Sequence, residues 1–311
     1  MLTHHYWKWI MAALLAPGQL LFAAPPAASS GGSPLGRFLY DNGYVSMQVE
    51  NNGHNQELVR VGINGSGANL ALDTGCGRTC LTNKFARNLN LPVQKAPDPM
   101  VGVGGHLAGA GSALLNSFTL NNSPINRTDT IRVFPPGATA PADGLLGYDF
   151  MRLNSMILPV GENYFLYRPG PAPPPEFDSY LKAAGFQPIP LTFGEGGLRA
   201  EGSLNGHPMV AVVDCGANFT LFDSDFVKMT VGALVVQSRM ISWGVDGRPM
   251  FVGIFNAEKL TFGGLTFPPT RTTTAAGTTL RTIHAQALLG YDLLAQHRAI
   301  IDLGHNVLWM K

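Results

Sequence analysis

The chain has 311 residues, of which 45% are hydrophobic and only 13% charged, enough apolar material for two ordinary domains with formed cores and too much for a disordered chain. Its 21 basic and 20 acidic residues leave a formal net charge of +1 with no long run of one sign, which argues against nucleic acid or an acidic membrane surface as the main partner. Three cysteines are too few for a disulfide framework, and the eight histidines show no metal-binding spacing, so neither metal nor organic cofactor is expected.

At the N-terminus an apolar stretch, residues 9–24, follows Lys8 and leads into Ala/Pro/Ser-rich sequence. It is shorter than the roughly 20 residues that cross a bilayer and is interrupted by Pro17 and Gly18, so residues 1–28 read as a secretory signal rather than an anchor. The expected protein is therefore exported, periplasmic or secreted. Residues 169–175, Pro-Gly-Pro-Ala-Pro-Pro-Pro, divide what remains, because consecutive prolines cannot donate to a sheet. The expected organisation is one lobe over 29–168, a linker over 169–178 and a second lobe over 179–311.

The two halves then repeat each other in order. Phe38-Leu39-Tyr40-Asp41-Asn42-Gly43 matches Tyr180-Leu181-Lys182-Ala183-Ala184-Gly185, a short helical turn closed by glycine. Hairpins follow at Asn64-Gly65 and Asn205-Gly206, the pair that two-residue turns favour. The returning apolar strands end in Leu72-Asp73-Thr74-Gly75 and Val213-Asp214-Cys215-Gly216, and Thr79 and Thr220 each fall six residues after the aspartate. Gly102-Val103-Gly104-Gly105-His106 aligns with Gly244-Val245-Asp246-Gly247-Arg248 as a second pair of glycine-rich hairpin tips. Next come Leu145-Leu146-Gly147-Tyr148-Asp149 and Leu288-Leu289-Gly290-Tyr291-Asp292, and each half closes with a strand pair around Gly161-Glu162-Asn163 or Gly304-His305-Asn306. Short β-branched runs predict an all-β duplication with short helices near 84–90, 178–184 and 291–297.

Two aspartates at matching strand ends permit one particular chemistry. Two carboxyls about 3 Å apart cannot both ionise, so identical side chains become an acid and a base. Such a pair activates a water against an amide carbonyl. Each half supplies one carboxylate, and glycine two residues on lets the loops approach.

On these motifs the chain, from about residue 36 to its end, resembles the aspartic peptidases, in particular the retropepsin-like and pepsin-like families and their bacterial exported relatives. The resemblance implies a bilobal acid-protease fold of two β-barrel-like lobes, with Asp73 and Asp214 as catalytic dyad and Thr74, Gly75, Cys215 and Gly216 as the loops around it. It implies flaps at Gly102, Val103, Gly104, Gly244, Val245 and Asp246, with Trp243 at a flap base either clamping substrate or filling core. The implied activity is that of a monomeric endopeptidase acting on peptide or protein, with a catalytically silent peptide-binding protein of the same fold as the alternative.

Departures from the family pattern sit beside the aspartates. Cys215 stands where the family has Thr, a weaker hydrogen-bond partner that makes the tie between lobes lopsided. Cys76 replaces a Ser, Thr or Ala, and Cys80 is expected in a loop lining the cleft. Cys76 and Cys80 either pair or remain thiols that make activity redox-sensitive. Gly102-Val103-Gly104-Gly105 lacks the following lysine of a phosphate loop and reads as a hairpin tip.

Overall fold

The computed structural model describes residues 34–140, 142–168, 173–174, 176–232, 240–245, 247, 249–276 and 278–311. The expected signal segment and most of the proline run lie outside the described residues. What is described is mostly strand, in a 10-stranded sheet built by the first half, a 15-stranded sheet centred on the second, and a separate two-stranded ribbon.

Each lobe is organised by the hairpin that carries its aspartate. Strands Glu57–Ile63 and Ser66–Leu72 turn at Asn64 and Gly65, both with positive φ (49° and 81°). Gly197–Leu204 and His207–Val213 turn the same way at Asn205 and Gly206, φ 51° and 84°. Asn tolerates this left-handed backbone and Gly enters it freely, so the turn twists with its strands. The apolar element that follows lies parallel to the aspartate strand: Gly144–Leu146 places Leu146 opposite Leu72, and Ala287–Leu289 places Leu289 opposite Val213. Burial on both faces explains why these short segments are uninterrupted apolar runs rather than alternating ones.

The floor beneath the lobes is shared. Strands run in the order Val45–Gln48, Tyr164–Tyr167, Ile157–Pro159, Ile300–Asp302, Val307–Met310 and Gln187–Gly194, three from each half. The halves join where Ile157, Leu158 and Pro159 face Asp302, Ile301 and Ile300. Two helices, Pro34–Asp41 and Glu176–Ala183, cover the floor from below and bury Leu39, Phe177 and Leu181 against Ile157, Ile300 and Trp309. Phe38 stacks on Tyr180 with ring centroids 4.9 Å apart. Gly43 and Gly185, φ 82° and 86°, end these helices as expected.

The helices at Asn83–Asn88, Glu176–Ala183 and Tyr291–Gln296 stand within two residues of expectation. Two more, Tyr148–Leu153 and Ser224–Val231, were not anticipated. They are the repeat partners of the last and first of those three. Asp223 caps the second, its carboxylate accepting from the N–H groups of Asp225 and Phe226. Among the described residues no helix is long and apolar enough to cross a membrane.

Candidate active site

The two aspartates are brought together where the lobes meet. Each follows its strand and is anchored through its N–H, Asp73 to the Leu146 carbonyl at 3.1 Å and Asp214 to that of Leu289 at 3.0 Å. The glycines two residues on show why the spacing is needed. A Cβ on Gly75 would lie 2.5 Å from the Asp214 carboxyl carbon, and one on Gly216 would lie 2.7 Å from that of Asp73. Each glycine vacates the space that the opposite lobe's carboxyl occupies.

The carboxyls are hydrogen-bonded to each other. Burial, then the charge of Asp214, holds Asp73 well above the ordinary carboxylate range. Burial raises Asp214 too, but the hydrogen bond from Asp73 and the backbone N–H groups of Gly216, Ala217 and Gly75 pull it back. Asp73 receives one backbone N–H, that of Cys76 at 2.8 Å. The unequal supply of N–H donors from each loop to its own carboxyl, one to Asp73 and two to Asp214, favours the proton on Asp73 and the charge on Asp214. Both residues are half-buried.

The tie between the dyad loops runs through one hydroxyl. Fully buried Thr74 donates to the Val213 carbonyl at 2.8 Å and accepts from the Cys215 N–H at 3.0 Å, both across the lobe boundary. Cys215, in the mirror position, has only a thiol, which burial pushes far above its ordinary value.

Behind each loop lies a clamp that sequence reasoning missed although both of its members belong to the repeat. Asp149 accepts from the Thr79 N–H and hydroxyl, each at 2.8 Å, while the Thr79 hydroxyl accepts from the Gly147 N–H at 3.0 Å. Asp292, Thr220 and Gly290 reproduce this arrangement at 2.7, 2.8 and 3.0 Å. Tyr148 and Tyr291 complete it, their N–H groups bonding the carbonyls of Cys76 and Ala217 at 2.8 Å. The nearly equal spacing, 70 positions between Thr79 and Asp149 and 72 between Thr220 and Asp292, was the signal available.

The cysteines need one correction. Cys80 does not line the cleft: it starts the strand Cys80–Leu81 and is buried with Ala71 and Leu145 behind the dyad loop. Pairing of Cys80 with Arg132 and Leu145 in the sheet turns its side chain into the core. Cys76 and Cys80 are both free, with sulfurs 3.7 Å apart and each directed at the Arg78 carbonyl.

Both glycine-rich tips reach across to the opposite lobe. Met100–Gly102 and Gly105–Leu107 form the two-stranded ribbon, with Val103 and Gly104 at its turn. The second tip, Gly244 and Val245, follows Met240–Trp243, which pairs with Pro249–Ala257. Val103 packs against a second-lobe cluster that includes Ala217 and Leu288, and Val245 against a first-lobe cluster that includes Cys76 and Leu145. Asp246 and the side chain of Trp243 lie outside the described residues. Among the described residues no group of three or more His, Cys, Asp or Glu could hold a metal ion.

Comparison with known proteins agrees with this geometry. Residues 59–150 match the aspartyl protease family model, a span that includes the Asp73 loop, the first glycine-rich tip and Leu145-Leu146-Gly147. The aspartic proteinase from Irpex lacteus aligns with a TM-score of 0.51 at 14% identity, over 86% of this chain and 96% of that one. No curated protein matches in sequence. The family model thus matches the lobe that carries Asp73, and the chain as a whole shares the fold of an aspartic proteinase. Within that fold it has both lobes in one chain, a glycine-rich tip on each, and Cys215 in the loop after Asp214.

Proposed function

We propose that the protein is an aspartic endopeptidase that hydrolyses peptide bonds with a water activated between Asp73 and Asp214. The observation that carries this reading is the meeting of two carboxyls from opposite lobes in the space left by Gly75 and Gly216, close enough that both cannot ionise together. Asp214 takes a proton from the water while Asp73 donates its own to the scissile carbonyl oxygen, giving a tetrahedral diol. Collapse of the diol returns a proton to the departing nitrogen and releases both fragments. The substrate is an extended peptide or protein segment held largely by main-chain hydrogen bonds, as in strand addition. The protein acts as an exported monomer, periplasmic or secreted, with no metal or organic cofactor.

The second reading, a catalytically silent peptide-binding protein, draws on Cys215, which leaves the dyad loops tied through one hydroxyl. Cleavage of a denatured protein between about pH 3 and 7 separates the two. Wild type is expected to cleave, and Asp73→Asn to lose about 10²- to 10⁴-fold in kcat. Because Asp73 is held well above the ordinary carboxylate range, activity should persist as pH rises past that range and fall as Asp73 loses its proton. Equal cleavage by folded Asp73→Asn rejects the dyad, and a folded wild type that binds peptide without cutting it supports the silent protein.

A further inference from the structure

The two flaps are each tied to the lobe they do not belong to. Thr279 of the second lobe donates its N–H to the Val103 carbonyl at 2.9 Å and its hydroxyl to the Gly102 carbonyl at 2.8 Å. In the mirror position Thr139 of the first lobe donates its N–H to the Val245 carbonyl at 3.0 Å and its hydroxyl to the Gly244 carbonyl at 3.1 Å. The same residue type thus uses the same two donors on the same two carbonyls in both halves.

These contacts are not incidental loop hydrogen bonds. Thr279 lies 177 positions from Gly102, and Thr139 lies 105 from Gly244, so local chain geometry imposes neither. The first flap belongs to neither large sheet, and a two-stranded ribbon alone is marginal in water, so what it docks on sets its position. Docking is completed by apolar contact: Val103 enters the cluster of Leu221, Leu280, Ala285 and Leu288, and Val245 that of Ala71, Leu107 and Leu145.

We infer that Thr139 and Thr279 are flap-positioning residues, a reciprocal pair of clasps that hold each tip down on the opposite lobe, so that release of a clasp precedes capture of a chain. The effect on capture rests on the peptidase reading; the clasp itself does not. A substrate segment in the middle of a protein has no end to thread beneath two closed tips. At least one tip must lift, giving up two hydrogen bonds and its apolar seat.

Thr139 is exposed and Thr279 half-buried, so valine at either place removes the hydroxyl and keeps the shape without disturbing the core. Amide hydrogen exchange on the full chain, without ligand, is the primary test. In Thr279→Val the amides of residues 100–107 and 279 should exchange about tenfold faster, and in Thr139→Val those of 139, 244, 245 and 247, since one net hydrogen bond corresponds to about that factor. Thr279→Ser and Thr139→Ser should keep wild-type rates. With a denatured protein substrate, the valine variants should gain up to about tenfold in kcat/KM, with the gain in capture rather than in kcat. Unchanged exchange in the valine variants overturns the clasp, as does equal acceleration in the serine variants. A fall in kcat with no gain in kcat/KM also overturns it, by placing the hydroxyls in the reacting complex instead. If wild type cleaves nothing, the peptidase reading fails and the exchange rates still decide the clasp.

Discussion

Replacing Gly75 with alanine puts one methyl group into the space where the lobes share their carboxyls. The new carbon would stand 2.5 Å from both Cγ and Oδ2 of Asp214, against about 3.5–4.0 Å for an ordinary carbon contact. Something must retreat by about 1 Å. The Asp214 carboxylate cannot swing away without cost, because it accepts from the N–H groups of Gly216 at 2.9 Å and Ala217 at 3.2 Å. The loops must part instead, and the hydrogen bond between the carboxyls stretches or breaks. Overpacking of this kind costs about 1–3 kcal/mol of stability. A displacement of about 1 Å at reacting groups lowers kcat about 10²-fold. Gly77→Ala is the control in the same loop: its Cβ meets nothing closer than the Phe193 ring at 3.5 Å, so kcat and Tm should hold. The assay is cleavage of a denatured protein at acid pH, with thermal unfolding measured on the same samples. If Gly75→Ala keeps wild-type kcat and Tm, the crossing of each glycine beneath the opposite aspartate does not set the dyad geometry, and the argument fails.

Cys215→Thr should complete the tie between the loops, because a hydroxyl in the mirror position of Thr74 can accept from the Thr74 N–H and donate to the Leu72 carbonyl. A gain of about 1 kcal/mol is expected, read by calorimetry as a Tm about 2 °C higher; a lower Tm would sink the idea. Glu57, 5% exposed, has its carboxyl pushed up to about 7 by burial, with the Gly161 N–H opposing and Glu162 reinforcing. The folded state therefore keeps this proton between about pH 4.5 and 7 while the unfolded chain loses it, so stability contributed by Glu57 falls as pH rises through that window. At about 1.4 kcal/mol per pKa unit the loss is about 3 kcal/mol. Glu57→Gln keeps an acceptor for Gly161 and should flatten that slope in denaturant titrations; an unchanged slope would refute the assignment.

Features written into short stretches of chain were readable before any coordinates. Asn64-Gly65 and Asn205-Gly206 announce their turns because only a few residues tolerate that backbone. Asp73 and Asp214 stood out because the same apolar strand precedes each and a glycine follows at the same distance. What joins distant parts left no such local mark. The Thr79 and Asp149 clamp spans 70 positions, and the docking of Thr279 on Gly102 spans 177. Cys80 was misplaced because its sequence neighbours suggest a loop, whereas the two strands that fix it, Thr130–Val133 and Gly144–Leu146, come much later. The helices Tyr148–Leu153 and Ser224–Val231 are too short for a clear 3.6-residue period.

The shared floor has a consequence for either half taken alone. Each half first closes on itself, Val45–Gln48 pairing with Tyr164–Tyr167 and Gln187–Gly194 with Val307–Met310. Each is then left with one bare edge, Ile157–Pro159 or Ile300–Asp302, and the two edges pair with each other. That pairing is antiparallel and joins repeat-equivalent strands, so either edge is close to its own complement. A half severed from its mate would carry a sticky, nearly self-matching border and would seek a second copy of itself. The proline-rich span between the halves thus also acts as a chaperone of stoichiometry, keeping the proper mate at high local concentration before a stranger arrives.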